Sequence, residues 1–318
     1  MQGLVLSGAN NFFAIRTPEG NIVRCSIKGK KLKESRGYYN PLAPGDTVDI
    51  EYDTIHPDQG QITALVPRRN GFVRWNQKTR SPQLLAANID LLLCVTTPAN
   101  PPFRPRFTDR TLVQAAAESI PALIIVNKTD LGISETVQER IHDWKRIGFQ
   151  VFEVSAKTGD GLETLARILS GKTCAVTGQS GVGKSSLLNS LDPRLALRTA
   201  DISFKYDRGI HTTTQGIFLP MTFTAHDGTP LPFNIIDTPG IRHFALWGIQ
   251  PEDVIFHFPE METAAVQCAF GLSCSHLHEH GCRVLESLHE GRIHPDRYES
   301  WRSMRDELTL LTAGTSRN

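Results

Sequence analysis

The sequence predicts an α/β domain with a mostly parallel sheet, preceded by a small β-barrel and followed by a helical module that carries cysteine and histidine. Three observations support this prediction. Residues 1–66 contain five short strand-like runs separated by Gly, Pro and Asn turns, which is typical of a small barrel. From about residue 89, continuous apolar runs alternate with amphipathic segments, as in a parallel sheet covered on both faces. After about residue 245 the chain becomes polar and ends in a predicted helix.

We divide the 318 residues into a barrel over 1–66, a basic linker over 67–88, an α/β domain over 89–245 and a C-terminal module over 246–318. This length is enough for two or three separate cores. The linker has five Arg/Lys residues and no acidic residue between 67 and 83, so we expect a connector rather than a packed element. The formal net charge of +1 does not by itself predict a polyanionic partner. No run reaches the roughly 18 apolar residues that span a membrane, so we expect no membrane partner and a cytoplasmic location.

A phosphate-binding loop is predicted where the chain matches G-x-x-x-x-G-K-[ST]. Its residues are Gly178, Gln179, Ser180, Gly181, Val182, Gly183, Lys184 and Ser185, with Ser186 next. The loop follows the apolar run TCAVT and opens a helix-like segment, which is the context that this motif requires. We expect its backbone N–H groups to bind phosphate. Lys184 would reach the β- and γ-phosphates, and the hydroxyl of Ser185 would bind Mg²⁺.

Two further motifs indicate which base is bound. The first comprises Asn127, Lys128, Thr129 and Asp130, and the second comprises Ser155, Ala156 and Lys157. The Asp130 carboxylate can accept hydrogen bonds from N1–H and N2–H₂ of guanine, a donor pair that adenine lacks. Asn127 would brace the loop, and the Lys128 stem would cover the base. A backbone N–H of the second motif could donate to guanine O6. Both motifs end a predicted strand, where a doubly wound sheet binds its ligands, and together they favour guanine.

The segment from Asp237 to Gly240 reads D-T-P-G and follows the apolar run FNIID. Asp237 would hold Mg²⁺ through water, and the N–H of Gly240 would contact the γ-phosphate. Ile241 stands where many GTPases have a glutamine that orients the attacking water. Isoleucine cannot do this, so hydrolysis is slow or another group positions the water.

The segment G-I-H-T-T-T over 209–214 lies between the phosphate loop and D-T-P-G. A threonine in such a segment contacts Mg²⁺ and the γ-phosphate in the GTP-bound state. We expect this residue to be Thr213, with its threonine neighbours as alternatives. We hypothesise that His211 positions the water; the alternative is a histidine that packs or helps to bind RNA.

A metal site is predicted from Cys268, Cys274, His276 and Cys282. Three thiolates and one imidazole suit a structural, tetrahedral Zn²⁺. His278 and His280 are alternatives to His276, and free buried cysteines are the alternative to a metal site. The remaining cysteines are Cys25, Cys94 and Cys174, and we interpret them as small core residues.

The order of the motifs is unusual, because the base-reading motifs precede the phosphate loop and D-T-P-G. The same sheet can be built with its ends rejoined, since domain termini often lie close together. The sequence therefore resembles a circularly permuted P-loop GTPase. This order, together with G-I-H-T-T-T, D-T-P-G-I-R-H-F, F-R-P-R-F-T-D-R (103–110), the barrel and the Cys/His cluster, is similar to the ribosome small-subunit-dependent GTPase A family. In that family we expect the first two cysteines to be one residue closer together than Cys268 and Cys274.

The resemblance implies an OB-fold, a permuted GTPase domain and a zinc-binding domain. It also implies GTP/GDP, Mg²⁺ and one structural Zn²⁺ as ligands, and late assembly of the bacterial small ribosomal subunit (30S), which stimulates hydrolysis. We expect 16S rRNA as a contact and a monomeric chain. The nucleotide state could then alter the angle between the barrel and the zinc module.

Basic residues interleaved with aromatics support an RNA-binding surface. They are Arg24, Lys28, Lys30, Lys31, Lys33, Arg36, Tyr38, Tyr39, Arg68, Arg69, Arg74, Trp75, Lys78 and Arg80. A solvated basic face is the alternative. Two other functions also remain open, namely a P-loop ATPase that acts on RNA, and an RNA-binding assembly factor that uses GTP structurally with little catalysis.

Overall fold

The computed structural model describes residues 1–9, 11–29, 32, 37–56, 58–195, 216–239 and 244–315. These residues form a closed barrel, a two-stranded hairpin, a six-stranded sheet with helices on both faces, and a C-terminal helical module. None of the helices in this described part is long and apolar enough to cross a membrane.

The N-terminal barrel has five strands. They are β1 (Gln2–Ala9), β2 (Phe12–Arg16), β3 (Ile22–Ile27), β4 (Thr47–Tyr52) and β5 (Gln59–Leu65). Their order is β1-β2-β3-β5-β4, and β4 pairs with β1 to close the barrel. Alternate residues fill the interior because successive strand residues face opposite sides. In β2, for example, Phe13 and Ile15 are buried whereas Phe12 and Arg16 are not. The predicted small barrel is confirmed.

A hairpin follows the barrel, formed by β6 (Gly71–Asn76) and β7 (Ser81–Ala87). The expectation of an unpacked connector is therefore wrong. Phe72 and Val73 of β6 and the apolar half of β7, residues 84–87, are buried. Lys78 and Arg80 lie at the exposed turn between the strands, Arg68 and Arg69 precede β6, and Arg74 lies within it. These five charges obscured two short apolar runs in the sequence.

The α/β domain is built on one sheet. Its strands are β8 (Leu91–Thr96), β9 (Ala122–Val126), β10 (Val151–Glu153), β11 (Thr173–Gly178), β12 (Ile217–Thr224) and β13 (Pro230–Asp237). Their order is β10-β9-β8-β11-β13-β12, and every pairing is parallel except that of β12 with β13.

Four helices cover this sheet, namely α1 (Pro105–Ala117), α2 (Glu135–Arg146), α3 (Leu162–Leu169) and α4 (Lys184–Leu191). In β8, Leu92 and Cys94 belong to the core that contains α1 and α2 residues, whereas Leu93 and Val95 belong to the core that contains α3 and α4 residues. Both faces are thus buried, as a parallel sheet requires.

The C-terminal module contains α5 (Pro259–Ala265), α6 (Arg283–His289) and α7 (Pro295–Thr315). Its core is continuous with that of the α/β domain, because Phe258, Val284 and Trp301 lie in the same apolar cluster as Leu112 of α1. Buried ion pairs reinforce this contact, since the α7 residue Arg297 bonds to both Asp109 of α1 and Glu260 of α5. The module is therefore packed against α1.

Candidate functional site

The predicted nucleotide motifs meet at one edge of the sheet. The segments at 127–130, 155–157, 178–185 and 237–239 follow or end β9, β10, β11 and β13. These four strands run in parallel, so their carboxyl ends lie at the same edge, where doubly wound sheets bind ligands.

The phosphate loop needs glycine at two points where the backbone makes close contacts. A Cβ at Gly178 would lie 2.4 Å from the carbonyl oxygen of Val95. A Cβ at Gly183 would lie 2.5 Å from Nδ2 of Asn127, and Gly183 also has a left-handed φ of 91°. Helix α4 begins at Lys184, so its N-terminal N–H groups lie next to this loop and favour an anion there.

Lys184 and Asp237 form the charged end of the site. The ammonium of Lys184 is buried and donates to the carbonyl oxygens of Gly178 (2.8 Å) and Gln179 (3.2 Å). Burial lowers the pKa of Lys184, although the Asp237 carboxylate opposes this. Burial raises the pKa of Asp237 to about 7, against the opposing effect of Lys184. Within the described residues, Asp237 Oδ1 is buried without a hydrogen-bond partner, as fits a carboxylate that receives hydrated Mg²⁺.

Asn127 and Lys128 connect their own N-K-x-D segment, residues 127–130, to the phosphate loop. The buried Asn127 donates from Nδ2 to the carbonyl oxygen of Val182 (3.0 Å) and accepts at Oδ1 from the N–H of Ala156 (3.1 Å). Lys128 has a φ of 66° and donates from Nζ to the carbonyl oxygen of Gly181 (2.7 Å). These contacts hold three of the four motifs in a fixed relation.

Asp130 lies beside the S-A-K segment. Its Oδ1 accepts a hydrogen bond from Oγ of Ser155 at 2.8 Å, and Nζ of Lys157 lies 3.8 Å from Oδ2. The side chain of Asp130 is 14% exposed, whereas that of Lys157 is 81% exposed. Thr129, between Lys128 and Asp130, begins a short 3₁₀ turn. The hydrogen bond from Ser155 therefore fixes one oxygen of the Asp130 carboxylate. The partly exposed side chain lies at the edge of the site.

The loop that follows β8 also contacts the site, although it carries none of the predicted motifs. The carbonyl oxygen of Asn100 accepts from Nζ of Lys128 at 2.5 Å, and the Pro101 ring lies 3.5 Å from where a Gly181 Cβ would stand. The signal that could have found this loop is topological, because β8 lies between two strands that carry motifs.

Three predicted catalytic residues, His211, Thr213 and Gly240, lie outside the described residues, as does Ile241. The other three members of the predicted catalytic set are Lys184, Ser185 and Asp237, and they lie together at the edge of the sheet. Ser185 is half-buried in the first turn of α4.

The predicted metal ligands come together in the C-terminal module. Cys268, Cys274, His276 and Cys282 are buried, and their donor atoms all lie within 4.8 Å of one another. His276 Nδ1 is 3.5 Å from Cys268 Sγ and 3.4 Å from Cys282 Sγ, and these two sulfurs are 3.8 Å apart. A tetrahedral zinc with Zn–S bonds of about 2.3 Å places its sulfur ligands about 3.8 Å apart. The donor set is thus compatible with zinc.

The surrounding residues hold the loop that carries His276. One carboxylate, that of Glu279, accepts from the N–H groups of Ser275 (2.7 Å), Leu277 (3.1 Å) and His278 (3.2 Å). The hydroxyl of Tyr298 on α7 donates to the carbonyl oxygen of His276 at 2.7 Å. The alternative ligands His278 and His280 are exposed and are not part of the four-residue group.

A phosphate loop, the Asp130 carboxylate of N-K-x-D and the D-T-P aspartate lie at one sheet edge. Together they define a P-loop nucleotide-binding protein, and the order of its motifs makes it a circularly permuted one. The family model described as RsgA GTPase matches residues 65–247. A protein named Small ribosomal subunit biogenesis GTPase RsgA, from Chlorobaculum parvum, is 36% identical over 315 residues, covering 97% of this chain and 98% of that protein. The chain therefore belongs to the RsgA GTPase family and is a GTPase.

Solved structures agree with this fold. The crystal structure of YjeQ from Thermotoga maritima matches with a TM-score of 0.71 and 29% identity, covering 97% of this chain and 98% of that one. A crystal structure described as YloQ, a circularly permuted GTPase, matches with a TM-score of 0.64 and 23% identity, covering 97% and 94%. The predicted permuted GTPase with a barrel and a Cys/His module is confirmed.

Proposed function

We propose that this chain hydrolyses GTP in the cytoplasm during late assembly of the small ribosomal subunit. The observation that carries the proposal is the single site in which Asp130, Lys184 and Asp237 meet at one sheet edge. This site lies in a chain that is 36% identical, almost from end to end, to a protein named for small-subunit biogenesis. We do not favour the ATPase or the non-catalytic alternative.

In this proposal the chain's own groups bind and orient the nucleotide. Asp130 accepts hydrogen bonds from the guanine N1–H and N2–H₂ and so rejects adenine. On nucleotide binding, Lys184 exchanges its hydrogen bonds to two backbone carbonyl oxygens for bonds to the β- and γ-phosphate oxygens. Ser185 and Asp237 hold Mg²⁺, Asp237 through water, and when bound this ion neutralises charge that develops on the phosphates.

The residues that act on the attacking water are also part of the proposal. Thr213 contacts Mg²⁺ and the γ-phosphate, Gly240 donates its N–H to the γ-phosphate, and His211 orients the water in place of the glutamine that Ile241 replaces. Turnover stimulated by small subunits should fall at least about tenfold in His211→Ala, in the range typical of one positioned proton-transfer or orienting group. Unchanged stimulated turnover would contradict the role of His211.

We infer that the barrel over 1–66 contacts 16S rRNA together with the exposed turn of the hairpin. The guanidinium of Arg24 lies 4.1 Å from the ring centroid of the exposed Phe12, a pairing that suits phosphate contact and base stacking. Lys78 and Arg80 are exposed at the hairpin turn. RNA binding should therefore weaken steeply with added salt.

Arg68 and Arg69 of the predicted RNA surface pair with carboxylates near the start of the α/β domain. Arg68 bonds through two nitrogens to the buried carboxylate of Asp46, and Arg69 pairs with Asp90. These two arginines stabilise the junction between the barrel and the α/β domain. We therefore exclude them from the proposed contact.

We further propose that one structural Zn²⁺ binds in the module over 246–318 through Cys268, Cys274, His276 and Cys282, and that the chain acts as a monomer. The zinc would crosslink three loop segments around α5 and α6 and so fix a surface for the ribosomal subunit.

Hydrolysis of GTP and of ATP by the purified chain, with and without small ribosomal subunits, tests this function. We expect GTP-specific turnover that rises strongly with subunits, and no turnover above background in Lys184→Ala. Lys145→Ala is the matched control, because Lys145 lies on α2 outside the nucleotide motifs and its side chain is 44% exposed. Turnover that prefers ATP would refute the guanine site, and turnover that subunits do not stimulate would refute the ribosomal role.

A further inference from the structure

The hairpin β6–β7 is fastened to the barrel on one side. The N–H of Tyr39 donates to the carbonyl oxygen of Pro82 at 2.7 Å. The Asn40 side chain bonds to the Leu84 backbone in both directions, donating to its carbonyl oxygen (2.9 Å) and accepting from its N–H (3.1 Å). The N–H of Ala87 donates to the carbonyl oxygen of Pro44 at 3.0 Å. Strand β7 is thus hydrogen-bonded to the segment 37–46, which leads into β4 of the barrel.

On its other side the hairpin contacts the segment 244–247, which follows D-T-P-G closely in the chain. The N–H of Trp75 donates to the carbonyl oxygen of Ala245 at 3.0 Å. The rings of Trp75 and Trp247 stack at 5.2 Å with an interplanar angle of 8°, and those of Phe72 and Phe244 at 5.4 Å. Strand β6 therefore receives one backbone bond and two ring contacts from this segment.

Two hydrogen bonds hold the Trp247 end of the segment 244–247 on α1, whereas Phe244 accepts one longer bond there, from Arg110 at 3.4 Å. Gln114 of α1 donates from Nε2 to the Trp247 carbonyl oxygen (3.0 Å) and accepts at Oε1 from the Trp247 N–H (2.8 Å). Phe244 and Ala245 lead back toward D-T-P-G. A displacement that starts at D-T-P-G would consequently reach the hairpin through Phe244 and Ala245.

Gly216 and the start of β12 also lie beside the hairpin and the barrel. A Cβ at Gly216 would lie 3.5 Å from the carbonyl oxygen of Leu85. The guanidinium of Arg16 in the barrel lies 5.5 Å from the ring centroid of Phe218. The segments 216–218 and 244–247 follow the two predicted nucleotide-sensing loops in the chain. Both segments thus contact the hairpin or the barrel.

We propose that the hairpin β6–β7 transmits the nucleotide state to the barrel, with Phe72 and Trp75 as the positioning residues that receive it from Phe244 and Ala245. The inference rests on the proposed function, because it explains how GTP would change the barrel's affinity for the ribosomal subunit. Sensing loops of GTPases change arrangement with the γ-phosphate. Rigid contacts on both sides of the hairpin let that change reorient the barrel.

The test measures coupling rather than activity. We would determine the Kd of the full chain for purified small ribosomal subunits with GDP and with a non-hydrolysable GTP analogue. Allosteric coupling typically amounts to a factor of about 5–150. In Trp75→Leu the ratio of the two Kd values should move to within about twofold of one, while the affinity for GDP without subunits stays within about twofold of the wild type. Phe149→Leu, an aromatic truncation away from the hairpin, should keep the ratio.

Linkage supplies a second readout, since subunits must tighten binding of the analogue by the same factor in the wild type. This factor should vanish in Trp75→Leu, or in Phe72→Leu if Trp75→Leu does not fold. A folded variant that keeps the full ratio overturns the inference and leaves the proposed function standing. Equal Kd values in the wild type overturn the nucleotide-switched function together with the inference.

Discussion

The carboxylate of Asp109 on α1 joins the GTPase domain to the C-terminal module, and Asp109→Asn tests how much this junction contributes to stability. The side chain is fully buried. Its Oδ1 accepts from Arg297 at 2.9 Å and from Trp144 Nε1 at 3.2 Å, and its Oδ2 accepts from Arg140 and from Ser300, both at 2.7 Å. Four donors therefore depend on two oxygens.

Asparagine keeps the shape of this side chain but removes the charge and replaces one acceptor with an amide N–H₂ that faces donors. Breaking a buried ion pair by removing one partner costs about 3–5 kcal/mol. Arg297 retains Glu260 and Arg140 retains Asp143, so no cation is left without a partner. We therefore expect the lower end of this range, a loss of about 3 kcal/mol in the free energy of unfolding. For a domain of roughly 150–250 residues this corresponds to a fall in Tm of about 6–12 °C.

Thermal denaturation followed by circular dichroism at neutral pH measures this loss. Asp227→Asn is the matched control, because Asp227 is 58% exposed and pairs with Arg167 on the surface. Surface pairs contribute about 0–1 kcal/mol. If Asp109→Asn lowers the Tm no more than Asp227→Asn does, the junction does not stabilise the fold as argued.

The stability difference should also depend on pH. Burial alone would raise the pKa of Asp109, but the charges of Arg297 and Arg140 and the hydrogen bonds outweigh burial, so that the pKa is lowered. A carboxylate whose pKa is lower in the folded state stabilises above its ordinary pKa of about 3.9, and this contribution is lost as the pH falls through the folded value. The gap between wild type and Asp109→Asn should hold from neutral pH to about pH 5 and shrink in stronger acid.

Three other substitutions probe the two sites. Gly183→Ala places a Cβ 2.5 Å from Nδ2 of Asn127 and should weaken GDP binding at least about tenfold by calorimetry, since a misplaced phosphate loop loses hydrogen bonds of about 1.4 kcal/mol or more; wild-type affinity would contradict the close packing. Asp130→Asn should weaken GTP binding roughly 10–150-fold, because each hydrogen bond to a charged group contributes about 1.5–3 kcal/mol; undiminished binding, measured by displacement of a fluorescent GDP, would argue against base reading. Cys282→Ser should lower the zinc content, by elemental analysis, from about one per chain to well below half, whereas Cys25→Ala in the barrel core should retain it; equal contents would rule out the metal site.

The nucleotide motifs could be predicted from the sequence because their chemistry is local. A loop that wraps phosphate needs glycine at fixed spacing, and Gly178 and Gly183 are the positions where a Cβ would collide with Val95 or Asn127. Each motif also ends a strand, and parallel strands bring their carboxyl ends to one edge. The chemistry and the strand pattern therefore predict a common site without any knowledge of distant contacts.

The hairpin and the junction at Asp109 could not be predicted in this way. Asp109 and Arg297 are 188 residues apart in the chain, and nothing in the local sequence of either distinguishes a buried ion pair from a solvated charge. In the hairpin, the burial of Val73 and Leu84 depends on Ala43 of the barrel and Trp247 beyond the sheet. Tertiary packing selects these partners, so the local polarity of the linker was misleading.

The permuted order has a structural consequence that follows from the sheet. The strands β8 and β13 are the two immediate neighbours of β11, which carries the phosphate loop. The barrel and hairpin enter the domain through β8, and the C-terminal module leaves it after β13. In an unpermuted chain the domain would instead begin at β11 and end at β10, an outer strand of the sheet. Of these two orders, the permuted one attaches both modules to strands that are hydrogen-bonded to the phosphate-loop strand, which is the connection that the proposed coupling between nucleotide and barrel requires.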